Sequence, residues 1–233
     1  MQKQPNPLIV ALDFSEAEQA YHCARQLNGL VGMFKIGLEL FCHSGPELVR
    51  KIAAECGPVF LDLKFHDIPN TVAGAVRAAC LPGVAMLSVH ISGGAAMLRR
   101  AVEAANEASQ GKICTVGVTV LTSLNDDDLI SLGFNGSTQA QVLRFVEMGL
   151  EAKLHGFICS AAEVAVVRAV AGKDKILVTP GIRAAGTDTA DQKRTATARQ
   201  AISDGANYIV VGRPITRAAN PKQAAERILS EIG

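Results

Sequence analysis

The chain has 233 residues, enough for one large core, and carries a formal net charge of +1 at pH 7. That balance leaves no global field to hold nucleic acid or an anionic membrane, so any anion recognition must be local. Hydrophobic residues make up 48%, aromatic residues only 4%, and Trp is absent, a composition suited to parallel strands covered by helices. Six scattered cysteines (Cys23, Cys42, Cys56, Cys80, Cys114 and Cys159) form no C-x-x-C and no zinc spacing. They read as small apolar residues in a reduced cytosol. Leu8 to Leu12 is too short for a signal-peptide core, and no apolar run approaches the ~18 residues of a membrane span. The expectation is a soluble cytoplasmic protein with one domain over residues 1–233.

Apolar strand candidates recur at nearly even intervals: Leu8–Phe14, Met33–Gly37, Val59–Lys64, Ala85–Ile91, Ile113–Leu121, Gly156–Cys159, Lys175–Thr179 and Tyr208–Gly212. Helical patterns separate them. Ser15 with Glu18, Ser44 with Glu47 and Ser160 with Glu163 have the S-x-x-E spacing of a capping box, and Pro46 adds a first-turn proline. Gly29, Gly57, Gly83, Gly111, Gly172 and Gly205 follow helical runs, where a left-handed residue is wanted. Eight strands alternating with helices predict a (β/α)8 TIM barrel; a doubly wound open sheet is the alternative, since periodicity does not show closure.

Polar residues break the strand pattern at one consistent place. Asp13, Lys35, Asp62, Lys64, His90, Thr122, Ser123, Arg183, Gly212 and Arg213 all fall at or just after strand C-terminal ends. In a parallel barrel those ends share the face that carries chemistry. The densest cluster is V-F-L-D-L-K-F-H-D-I-P-N-T over 59–71. Side chains two apart in an extended chain share a face, so Asp62 and Lys64 project together, with Asp67 following at the turn. Buried charges are costly unless paired, so this cluster is either a structural ion pair or a reaction centre.

The last strand ends in Gly212-Arg213-Pro214, which sets a close-approach glycine beside a guanidinium. The strand before it ends in T-P-G-I-R over 179–183. Loops after the seventh and eighth strands are the usual phosphate site of a barrel. Residues 184–194 between them are small and polar, a solvated connection or a lid over a phosphate. His90 reads as a structural histidine at a strand end, and His22, His43 and His155 as peripheral. His66 beside Asp67 has the residue types of a metal site, but Lys64 would repel a cation there.

With these residues in view, the chain resembles the orotidine 5′-monophosphate decarboxylase family from L-D-F at 12–14 to G-R-P at 212–214. The most specific element is D-L-K-F-H-D-I-P-N-T at 62–71, which fits the family's D-x-K-x-x-D-I-P-N-T pattern. L-T-S at 121–123, T-P-G-I-R at 179–183 and Gln192 also fit. The resemblance implies Lys64 as proton donor beside Asp62, in a charge network with Lys35 and Asp67. It implies that Lys35 and Asp13 contact the ribose, that Ser123 meets the pyrimidine amide, and that Thr122 lines the same pocket. Gln192, Arg213 and the Gly212 backbone would hold the phosphate, with Arg183 in the same set. Asp67 and Thr71 would reach into a partner's site in a homodimer. No cofactor and no metal are implied: an ammonium fixed where the carboxylate departs would stabilise the carbanion electrostatically.

Relatives sharing D-x-K-x-x-D include magnesium-dependent decarboxylases and aldolases of sugar phosphates; the I-P-N-T continuation, Ser123 and Gln192 favour the nucleotide enzyme. A non-catalytic nucleotide-binding barrel is the other alternative. Retention of Lys35, Asp62, Lys64 and Asp67 argues against it, since phosphate binding needs none of the four.

Overall fold

A computed structural model describes residues 6–182 and 197–232. Arg183, Gln192 and the expected lid therefore lie outside the described residues. Eight parallel strands close into a barrel in the order β1-β2-β3-β4-β5-β6-β7-β8. They are β1 (Leu8–Ala11), β2 (Met33–Gly37), β3 (Val59–Phe65), β4 (Val84–His90), β5 (Cys114–Val118), β6 (Gly156–Ile158), β7 (Ile176–Thr179) and β8 (Tyr208–Val211). β1 pairs with β8 through Leu8↔Ile209 and Val10↔Val211, which completes closure and excludes the open sheet.

The first-half helices are α1 (Ala17–Gln26), α2 (Leu38–Glu55), α3 (Pro69–Ala79) and α4 (Gly94–Ser109). There follow α5 (Asp126–Ser131), α6 (Thr138–Glu151), α7 (Val164–Ala171), α8 (Ala198–Ser203), α9 (Arg213–Thr216) and α10 (Pro221–Ile232). Among the described residues no helix is long and apolar enough to cross a membrane.

Strand alternation divides the core into two layers. Ile9, Met33, Phe60, Met86, Val116, Ile158, Val178 and Val210, one from each strand, fill the barrel interior. Their neighbours in sequence, such as Val10, Phe34, Leu61 and Leu87, pack outward with the helices. This interior layer is the floor on which the cleft stands.

The six glycine stops all adopt positive φ, from 74° at Gly111 to 141° at Gly57. Glu163 accepts the Ser160 N–H at 3.0 Å, as the S-x-x-E spacing predicts. Ser15 does not start α1; Glu16 occupies the cap position and makes no side-chain cap bond. The second start is also displaced, because the chain is already helical from Leu38 and breaks at Gly45 (φ 63°, ψ −164°), so Pro46 opens a second helical segment inside α2.

At the N-terminal end of the barrel, Arg168 of α7 ties several loops together. It donates to the carbonyls of Gly172 and Lys175 at 2.7 Å, to Gly205 O at 2.7 Å and to Asn207 Oδ1 at 2.6 Å. Asn207 Oδ1 also accepts the Leu177 N–H, joining β7 to the approach of β8. His155, at the same end, accepts the Thr115 N–H through Nδ1. These are bonds of the scaffold, far from the charged strand ends.

Candidate active site

One step along each strand from the floor layer, the inward positions change character. Above Met33, Phe60 and Met86 stand Lys35, Asp62 and Ser88, and Asp13 lies two residues beyond Ala11. On β5 the next inward residue, Val118, remains apolar, Val120 just beyond the strand also lines the cleft, and after β8 Val210 is followed by Gly212. The cleft thus carries its carboxylates and lysines on the β1–β4 side, with apolar residues on β5 and Gly212 and the arginines Arg213 and Arg217 following β8. Its volume is about 490 Å³, and Asp13, Lys35, Asp62, Lys64, Thr122, Gly212 and Arg213 all line it. That is the size range of small-molecule sites.

The charged side is one continuous chain. Lys64 Nζ lies 2.7 Å from Asp62 Oδ2, and Lys35 Nζ approaches the same oxygen at 3.8 Å and Asp13 Oδ1 at 3.1 Å. The Asp62 side chain is 8% exposed, whereas that of Lys64 is 30% exposed and faces the cleft. Burial alone would raise the Asp62 carboxyl. The Lys64 and Lys35 ammoniums, with hydrogen bonds from Lys64 and Ser88, outweigh that and hold it below the ordinary carboxylate value.

Lys64 itself stands on an unusual backbone, with φ 49° in the left-handed region. The β3–β4 register passes from Leu61↔Leu87 directly to Phe65↔Val89. Asp62, Leu63 and Lys64 are thus set against Ser88 alone, a bulge of the kind found beside active sites.

Space is tight around this chain. A Cβ at Gly37 would stand 3.2 Å from Lys35 Nζ, and one at Gly212 would stand 3.4 Å from Asp13 Oδ2. His90, the next inward residue after Ser88, has its ring centroid 5.5 Å from that of His66. Burial, with His66 and Lys64 nearby, holds the His90 imidazole below its ordinary value, against the opposing influence of Asp62.

Three sequence candidates do not line this cleft. Asp67 is exposed, and its Oδ1 accepts the Ile68 N–H at 2.6 Å. Thr71 is exposed in the first turn of α3, and Ser123 is exposed in the turn before α5. Sequence reasoning in turn missed Ser88, and also Arg217, which lines the cleft one turn beyond Arg213. The signal for Ser88 is its place in the inward series Met86, Ser88, His90.

A closed parallel barrel that gathers alternating carboxylates and ammoniums at its strand C-terminal ends, with Gly-Arg at the last of them, has the design of a (β/α)8-barrel enzyme. Residues 6–228 match the model of the Orotidine 5'-phosphate decarboxylase / HUMPS family, and the chain belongs to that family. A curated relative from Wolbachia pipientis subsp. Culex pipiens, named orotidine 5'-phosphate decarboxylase, is 48% identical over 229 residues, covering 97% of this chain and 99% of that protein. The protein of that name from Dichelobacter nodosus is 46% identical over 227 residues, covering 97% and 99%. The crystal structure of orotidine 5'-phosphate decarboxylase from Lactobacillus acidophilus superimposes with a TM-score of 0.86 at 36% identity, covering 98% of this chain and 99% of that one.

Proposed function

We propose that Lys64 stabilises and then protonates a carbanion at pyrimidine C6 as this chain converts orotidine 5′-monophosphate to UMP, the decarboxylation after which its relatives are named. The observation that carries this reading is the Lys64 ammonium, held at 2.7 Å by a buried carboxylate yet facing the cleft. The bond from C6 to the carboxylate breaks, CO2 leaves, and the electron pair stays on C6 in an orbital the ring π-system does not delocalise. The ammonium lies where that charge develops, so it stabilises the transition state without reorganising. Its proton then forms the new C6–H bond, and the amine regains a proton from solvent. No cofactor enters this sequence.

Asp62 has two roles in this reading. It fixes the ammonium, and it repels the substrate carboxylate before departure. One charge contact at 4 Å and an effective dielectric of 20 is worth roughly 4 kcal/mol. Enzymes of very slow reactions lower their barriers by up to ~23 kcal/mol or more. Repulsion is therefore a minor part, and charge stabilisation with binding of the remote phosphate carries the rest.

Gly212 and Arg213 hold the phosphate, with Gln192 and Arg183 in the same set. Asp13 and Lys35 meet the ribose, and Thr122 and Ser123 the nucleotide base. Asp67 and Thr71 serve the cleft of a second copy in a homodimer. Both are exposed and outside their own cleft, and Ile68 beside Asp67 is 67% exposed, an apolar side chain that an interface would cover. The protein would work in the cytoplasm as one catalytic domain over residues 1–233.

Following orotate absorbance with purified protein, and with Lys64→Ala beside it, tests the reading. Turnover by the native chain and its loss by several orders of magnitude in the variant are expected. Equal turnover by both would remove Lys64 from the chemistry.

A further inference from the structure

Ser88 is fully buried at the inward position of β4 after Met86, directly across from the bulge that carries Asp62 and Lys64. Its hydroxyl makes two bonds, both to that bulge. It donates to Asp62 Oδ1 at 2.7 Å and accepts the backbone N–H of Lys64 at 2.9 Å. Three residues of β3 face this single residue of β4, so the ladder has no main-chain pairing to offer Lys64 there. The Ser88 side-chain oxygen stands in for the missing partner. Because the hydroxyl has one proton, accepting from Lys64 N and donating to Asp62 use it in a single orientation.

The two contacts act on both members of the proposed reaction centre. The N–H bond holds residue 64 in its left-handed conformation, where an L residue is strained unless its surroundings fix it. The carboxylate bond occupies Oδ1 of Asp62, which leaves Oδ2 to receive the Lys64 and Lys35 ammoniums. We propose that Ser88 is a positioning residue of the decarboxylation, a bridge whose one hydroxyl sets the Lys64 backbone and the Asp62 carboxylate in register with each other. The proposal rests on the assignment of Lys64 and Asp62 given above. Ser88 does not line the cleft, so it touches no substrate and acts only through those two residues.

Three substitutions separate hydrogen bonding from the filling of space. Ser88→Ala removes the hydroxyl, Ser88→Cys keeps the shape with a poor donor and acceptor, and Ser88→Thr restores the hydroxyl with one extra methyl. Displacing a reacting group by a fraction of its productive geometry costs rate rather than affinity, roughly 10- to 100-fold here. The expected result is a fall in kcat of that size in both Ala and Cys variants, with UMP affinity held within about twofold and the melting temperature of the Cys variant close to that of the native protein. Ser88→Thr should recover at least part of the lost kcat. A Cys variant with native kcat would overturn the proposal, because shape alone would then suffice. So would a parallel loss of kcat and UMP affinity, which marks general damage to the cleft. Lys64→Ala measured alongside keeps the two ideas apart. If it still turns over substrate, the assignment of Lys64 fails; if it is inactive while Ser88→Cys is native, only the role of Ser88 fails.

Discussion

Lys64 Nζ and Asp62 Oδ2 lie 2.7 Å apart although both residues belong to β3 and the backbone at Lys64 has left the strand conformation at φ 49°. The pair is intact across the bulge, with Lys64 still on the face of Asp62 that a regular strand would give it. Lys35 adds a second ammonium to the same oxygen at 3.8 Å, so two positive charges converge on one buried carboxylate.

That convergence makes Asp62 a pH-dependent element of stability. Its carboxyl is held below the ordinary value in the folded chain. The unfolded chain therefore takes up a proton first as pH falls, and the stabilisation present at neutral pH is lost below the ordinary carboxylate pKa of ~3.9. Asp62→Asn should be less stable than the native chain at pH 7, with the gap narrowing as pH falls through 4 toward the lowered Asp62 value. Urea denaturation from pH 7 to pH 3 measures it; a constant gap would contradict the linkage.

His90 works in the same direction at higher pH. Burial and neighbouring positive charge hold it below its ordinary value. Folding then favours the neutral ring, and stability falls as pH drops below the ordinary value of ~6.5. Replacing His90 with Asn should flatten melting temperature against pH between 7.5 and 5. His155 is shifted the same way, so the dependence is reduced rather than abolished.

Arg213 should matter to the phosphate and to little else. Hydrogen bonds to charged groups contribute about 1.5–3 kcal/mol, so Arg213→Ala should weaken UMP binding roughly 10- to 100-fold while uridine binding changes little. Calorimetric titration with both ligands reads the difference. Equal losses for the two would place Arg213 elsewhere in recognition.

Arg168 offers the converse test at the other end of the barrel. Arg168→Ala leaves several carbonyls without their donor. A loss of about 1–3 kcal/mol is expected, a fall of several degrees in melting temperature for a domain of this size. The kcat at 25 °C should not change. A catalytic defect in the folded variant would mean that the two barrel ends are coupled.

If Asp67 serves a neighbouring subunit, two inactive proteins can repair one another. Mixing Lys64→Ala with Asp67→Ala should restore part of the activity in hybrid dimers, each of which contains one intact cleft. No recovery despite demonstrated subunit exchange would contradict the shared site.

Much of this arrangement is legible from residue order. Alternation places Lys35 above Met33 and Asp62 above Phe60, and the glycine stops mark the ends of the helical runs. The bulge at Lys64 is not legible, because D-x-K reads the same in a regular strand and in a kinked one. Ser88 is silent for a related reason: a single small polar residue in A-M-L-S-V-H has no pattern until β3 lies beside it. Ser15 misleads because the S-x-x-E spacing does not fix the first helical residue: α1 begins at Ala17, with Glu16 rather than Ser15 at the cap position. Asp67, Thr71 and Ser123 belong to the same motifs as the cleft residues, yet they stand outside it. A motif records sequence neighbours, not which cleft they serve.

If this chain removes CO2 from a nucleotide by fixed charge alone, its turnover needs no metal. The most direct measurement follows orotidine 5′-monophosphate absorbance with purified native protein in excess EDTA. Loss of the orotate signal with UMP as product, at a rate unchanged by added Mg2+, is the predicted result. A flat trace that Mg2+ restores, or one that stays flat while UMP still binds, would contradict it.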